Sequence, residues 1–204
     1  MIAPQRFLLA TATLLLAACQ TTSMVDSWSD PTYSGGSFAK ILVVGVIQDV
    51  TSRHVFEDIM VSKLNRLGVQ AAPAYRFIPD GAQAPEAQLD AAVQHYGADA
   101  LLLTHLKRVD TKMRISTMMV PGPGPVFGPY GGYYGMYTGW YAVPDVQQYD
   151  VATVETSLFA TAGKQLVWTG VTETFQPTSV AKDAPGYADV IITALRAKGM
   201  LPVK

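Results

Sequence analysis

The chain has 204 residues, 49% hydrophobic and 15% charged, which is enough apolar surface for one globular domain and too much for a disordered or collagen-like chain. Fifteen Lys and Arg oppose sixteen Asp and Glu, so the net charge of -1 offers no cationic footprint for phosphates, and nucleic acid is not expected as a partner. With only one cysteine, no intramolecular disulfide can form.

Residues 7–18 follow Arg6 and are apolar apart from Thr11 and Thr13, the pattern of a secretory signal peptide. Twelve helical residues rise about 18 Å, short of a bilayer core of about 30 Å. The run ends in Leu16-Ala17-Ala18-Cys19, which resembles the bacterial lipobox. Small side chains there suit a peptidase, and a thiolate is the nucleophile that a lipid thioether requires. The alternative is an ordinary secretory signal whose cleavage site happens to contain a cysteine. On the lipobox reading 1–18 are removed and Cys19 carries the lipid, diacylglyceryl and palmitate. The mature chain then loses Arg6 and no acidic residue, leaving fourteen basic against sixteen acidic side chains, a net charge of -2. Several acyl chains, each methylene worth about 0.8 kcal/mol, make a lasting membrane anchor. Gln20 after Cys19 resembles the outer-membrane sorting pattern, so the expected location is the outer membrane, facing the periplasm.

Residues 19–37 are expected to be the lipidated cysteine and a flexible tether of small polar residues, with Trp28 and Tyr33 either docked or mobile, and 38–204 a single α/β domain. Fully extended, 20–37 would reach about 60 Å. Ile41 to Ile47 is a continuous branched apolar run, as in a central strand buried on both faces. Thr51 or Ser52 then caps a helix in which Val55, Phe56, Ile59, Met60, Leu64 and Leu67 recur at helical spacing before Gly68. A short strand follows near 69–74, and Pro85 opens a second helix with Leu89, Ala92, Val93 and Tyr96 inward, before Gly97. Residues 98–106 return to strand.

Residues 121–144 hold seven Gly, five Pro and seven aromatics, with no charge, and read as a long insertion rather than a regular element. The strands 151–160 and 165–174 make an antiparallel hairpin through 161–164. A last helix spans 185–198, with Tyr187, Val190, Ile191, Ala194 and Leu195 on one face, and ends at Gly199. The order β-α-β-α-β-β-β-α predicts a mixed sheet with helices packed on it, parallel in its first half.

Ser27-Trp28-Ser29-Asp30-Pro31, residues 38–46 (FAKILVVGV), Arg53 with Phe56-Glu57-Asp58, Gly97-Ala98-Asp99-Ala100 and Val167-Trp168-Thr169-Gly170 together resemble a group of uncharacterised proteobacterial envelope lipoproteins. The likeness covers nearly the whole mature chain. More remotely, the element order is similar to the α/β domain of the TolB amino terminus and of the curli-secretion and penicillin-binding-protein-activator lipoproteins. That likeness implies docking to envelope partners and supplies no site residues.

Several clusters were weighed for chemistry. His54, Glu57 and Asp58 at i, i+3 and i+4 offer two or three metal ligands, or else a solvated helix face on which Arg53 pairs with Glu57. Asp49, Thr51, Ser52 and Arg53 open a helix after the central strand, as an anion site or simply as caps. Lys107, Arg108, Lys112 and Arg114 surround Asp110, facing anionic lipid or guarding a sheet edge. The aromatic residues Phe127, Tyr130, Tyr133, Tyr134, Tyr137, Trp140 and Tyr141 form the candidate partner surface, for a protein first and for a glycan or lipid otherwise, or else a self-packed lid. No GxSxG, HExxH, CxxC or Walker pattern occurs, so no metal, cofactor or catalytic residue is assigned. The expectation is a non-enzymatic envelope lipoprotein that docks an envelope protein. A hydrolase using Asp49 or Glu57 ranks last, because neither has a partner to complete an acid and base pair.

Overall fold

The computed structural model describes residues 22–80, 85–122 and 139–202. Cys19 and the aromatics Phe127, Tyr130, Tyr133, Tyr134 and Tyr137 lie outside them. Trp140 and Tyr141 fall within a strand whose backbone alone is described there.

Among the described residues, six strands and three α-helices follow in the order β1 (Thr22–Ser29), β2 (Lys40–Val46), α1 (Val50–Arg66), β3 (Gln70–Pro73), α2 (Glu86–Tyr96), β4 (Ala100–Gly122), β5 (Gly139–Ala160), β6 (Gln165–Phe175) and α3 (Val180–Ala197). The strands form one mixed sheet ordered β1-β6-β5-β4-β2-β3. β2 runs parallel to β3 and β4, and the other pairs are antiparallel. The α/β architecture and the placement of the parallel part therefore match the expectation.

The apolar run of β2 explains the layering. Ile41 and Val43 point into a core with Phe56, Met60 and Leu64 of α1 and Tyr187, Ile191 and Leu195 of α3. Leu42 and Val44 point the other way, against Ala92 of α2, Ala74 and Ile78. Alternation of side chains along a strand thus buries both faces of one seven-residue element. α2 ends where Gly97 takes the left-handed conformation, φ 70°, which a side chain would oppose.

Four expectations change. Residues 22–29 are not tether but the edge strand β1, held to β6 by backbone pairing from Thr22↔Thr174 to Ser29↔Trp168 and by a Thr22–Thr174 hydroxyl bond of 2.9 Å. The helix α1 is capped by Asp49, whose carboxylate accepts from the Ser52 amide at 2.7 Å, and not by Thr51 or Ser52. α3 begins five residues before Pro185, because the Asp183 carboxylate accepts from the Thr178 and Ser179 amides at 2.7 and 3.0 Å and fixes an earlier start. The flanks of the 121–144 insertion are strand: β4 continues to Gly122 and β5 resumes at Gly139.

Candidate functional site

That last difference creates the most unusual feature of the molecule. β2 leaves β4 after the Val46↔His105 pair, and β6 leaves β5 after Phe175↔Val151. From Thr111↔Asp150 to Gly122↔Gly139, over twelve rows, β4 and β5 pair with each other and with no further strand among the described residues, apart from the Gln176 amide on the Asp150 carbonyl at 2.8 Å in the first row. At about 3.3 Å per residue this two-stranded arm extends about 40 Å past the sheet. At its base Lys112 pairs with Glu173 at 3.7 Å and Tyr149 packs on Phe175.

Partners in register share a face, which gives the arm two different sides. One carries Met113, Ile115, Thr117 and Met119 opposite Gln148, Val146, Pro144 and Ala142. Met113 is 70% exposed, Ile115 73% and Val146 57%. The other side carries Lys112, Arg114 and Ser116 opposite Tyr149, Gln147 and Asp145, then turns apolar at Met118 and Val143. Beyond Arg114 and before Asp145 no residue is charged. Of the basic cluster, Lys107 pairs with Glu155 and Arg108 with Asp110, while Arg114 has no ion pair among the described residues.

A cleft of about 1250 Å³ opens at the carboxyl end of β2, along Leu103 to Val109 in the first half of β4, beside the first turns of α1 and α3. Val44, Phe56, Val154 and Ala184 supply apolar wall, and Gln48, Asp49, Arg53 and Asp183 polar rim. Of the residues considered for an anion, Asp49 and Arg53 line this cleft and Thr51 and Ser52 do not, and the charged groups of Asp49 and Arg53 are already engaged. Asp49 caps α1, and its bonds from Ser52 hold its carboxyl below the usual range. Thr51 lies exposed on the first turn. The Arg53 guanidinium turns inward, donating to Glu57 and to the Ile78 carbonyl, both at 3.3 Å, with Asp80 at 3.5 Å.

Glu57 is the residue whose environment the sequence misrepresents. Its ion pair with Arg53 is present, yet the carboxylate is fully buried rather than solvated. It accepts from the Gly45 and Tyr75 amides, each at 2.9 Å, tying β2, α1 and the turn at 74–76 together. Burial pushes its pKa up, and the two amides and Arg53 pull it partly back. Its would-be co-ligands go elsewhere: His54 to Asp80 at 3.0 Å and Asp58 to the Tyr75 hydroxyl at 2.8 Å. Among the described residues no three His, Cys, Asp or Glu side chains converge on one point. Glu57 does not line the cleft that Asp49 rims, so these two carboxylates do not share a site.

Under α3 the Tyr187 hydroxyl bonds to Thr156, which bonds to Thr104 at 2.9 Å. Burial pushes the Tyr187 pKa up to about 12. This polar thread runs through the core and was not legible in the sequence, since buried threonines on a strand look like surface alternation.

No family model matches the chain, and no curated protein matches it. Among solved structures it is similar to the PelC dodecamer from Paraburkholderia phytofirmans, at 13% identity and a TM-score of 0.45, over 89% of this chain and 99% of that one. It is similar to lipoprotein GNA1162 from Neisseria meningitidis at 14% identity and a TM-score of 0.39, over 78% and 96% of the two chains. A PDZ domain protein from Parabacteroides distasonis aligns at 6% identity and a TM-score of 0.37, over 83% of this chain and 34% of that one. No helix among the described residues is long and apolar enough to cross a membrane.

Proposed function

We propose that this chain is a lipid-anchored envelope protein of the outer membrane that acts by contact rather than catalysis, gripping a periplasmic protein partner through the β4–β5 arm. The observation that carries the reading is the arm itself. A two-stranded ribbon is at best marginally stable alone, and its open edges and polar side offer backbone and side-chain bonds to an added strand. Leu16-Ala17-Ala18-Cys19 supports the anchor, and the uncharged, aromatic-rich residues between the arm's strands suit a contact surface.

The test is in-cell photo-crosslinking from a reactive residue at Gln147, on the arm's polar side, and at Tyr134. A discrete crosslinked polypeptide that disappears in the Cys19→Ala chain is expected. Deletion of 121–144 that leaves every envelope interaction of the protein unchanged would overturn the reading.

A further inference from the structure

The arm and the anchor emerge from the same end of the domain. Thr22, the first residue of β1, stands in one row with Thr174 of β6 and Ala152 of β5, and the arm begins two residues beyond Ala152. Three strands span about 10 Å, so the chain enters the sheet close to the arm's base. β1 runs away from that base, so its amino end is the end nearer the arm. Cys19 is three residues before Thr22, a reach of about 10 Å at full extension. The arm reaches about 40 Å in the same direction. A tether this short keeps the arm's base within about 20 Å of the bilayer that holds Cys19.

The chemistry of the arm agrees with that distance argument. Charges stand in the half of the arm nearer the base, at Asp150, Lys112, Arg114 and Asp145, and none follows from Ile115 through Pro144. One side is mostly apolar from Met113 outward, interrupted by Gln148 and Thr117, and the other becomes apolar at Met118 and Val143. A lone hairpin cannot span the hydrocarbon, because its edge amides and carbonyls would go unpaired there. It can lie in the interface, apolar side toward the acyl chains, edges at the level of water and headgroups, and the polar side with Arg114 turned outward.

We infer that the apolar side of the β4–β5 arm, centred on Met113, Ile115, Met119 and Val146, lodges in the bilayer that holds Cys19, leaving the polar side for the protein partner. The inference rests on the anchored reading above.

The test uses the full lipidated chain, in which Cys19 sulfur is occupied, so that an introduced cysteine is the one free thiol. Fluorophores on Ile115→Cys, Met119→Cys and, at the opposite end of the sheet, Ala162→Cys are reconstituted in phosphatidylethanolamine and phosphatidylglycerol vesicles whose acyl chains are brominated. Strong quenching at 115 and 119 and none at 162 is expected. Ile115→Asp with Met119→Asp, both on exposed positions that leave the core intact, should lower vesicle partitioning of the Cys19→Ala chain by about tenfold or more. If the wild type floats with vesicles but 115 and 119 are not quenched, this inference fails and the anchor stands. Crosslinking of 115 and 119 to a polypeptide in cells, without quenching, gives the apolar side to a protein and also overturns it. If the wild type does not float at all, both readings fail together.

Discussion

Glu57 is a carboxylate buried under three donors, and its removal strands two of them outright. Glu57→Ala leaves the Gly45 and Tyr75 amides without their acceptor and Arg53 without its buried counter-charge, holding only the Ile78 carbonyl and Asp80. Losing one partner of a buried ion pair costs about 3–5 kcal/mol, so urea unfolding at neutral pH should show a loss of that order. The pH dependence follows from the raised pKa. A group that holds its proton more tightly when folded stabilises fully below its unfolded pKa, and that contribution is lost as pH rises through the folded value. The wild type should therefore lose stability relative to Glu57→Gln as pH climbs from about 4.5 upward. A constant difference across that range would show that the carboxylate is not shifted. Tyr187 behaves in the same sense at the other end of the scale. Its contribution is present below the ordinary tyrosine pKa of 10.0 and lost as pH rises through about 12. Tyr187→Phe should cost about 1 kcal/mol at pH 7 through the lost Thr156 bond, and the two stability curves should approach and then cross between pH 10 and 12.

Strand β6 passes directly beneath the ring of its own Trp168. A Cβ at Gly170 would stand 2.4 Å from Trp168 Cη2 and 3.1 Å from Met24 Sδ on β1. Gly170→Ala should therefore displace a fully buried indole and cost about 1–3 kcal/mol, seen as a lowered Tm and a red-shifted tryptophan emission. The arm is the opposite case. Replacing 115–146 by a two-residue Asn-Gly turn should change domain stability by less than about 1 kcal/mol, because a free two-stranded ribbon adds little in water. These elements also mark what a sequence can disclose. β2, α1, α2 and the β5–β6 hairpin were legible because each carries its period in large apolar side chains. β1 was not, since its inward residues include only Thr22 and Met24 and its stability comes from backbone bonds to β6, some 150 residues away. The arm hid behind Gly and Pro, because strand pairing at 117–122 rests on register rather than on β-branched composition. For the candidate site, the i, i+4 spacing revealed the Arg53–Glu57 pair but not its depth, which depends on a turn at 74–80 that no local pattern connects to α1.

At the scale of the whole molecule the question is what sets the height of the domain above the membrane. On the proposed reading, the anchor at Cys19 and the arm would be two independent holds. The β5–β6 turn near Ala162 lies at the end of the sheet opposite the arm, about ten residues of β4 away, or about 35 Å. If the tether alone fixed the height, inserting twenty Gly and Ser residues between Gln20 and Thr21 would free the domain to wander about 25 Å, the r.m.s. span of such a linker. Energy transfer from a donor on Ala162→Cys to an acceptor lipid would then fall and broaden. With the arm lodged in the interface, the arm itself holds the domain, so the insertion should leave the transfer efficiency unchanged. Combining the insertion with the 115–146 replacement removes that second hold and should lower the efficiency. The native tether with the shortened arm should keep the domain near the surface but let it tilt, broadening the distribution with little change in its mean. A drop in transfer from the insertion alone, in a chain that still floats with vesicles, would mean that the tether is the sole hold and that the arm points away from lipid.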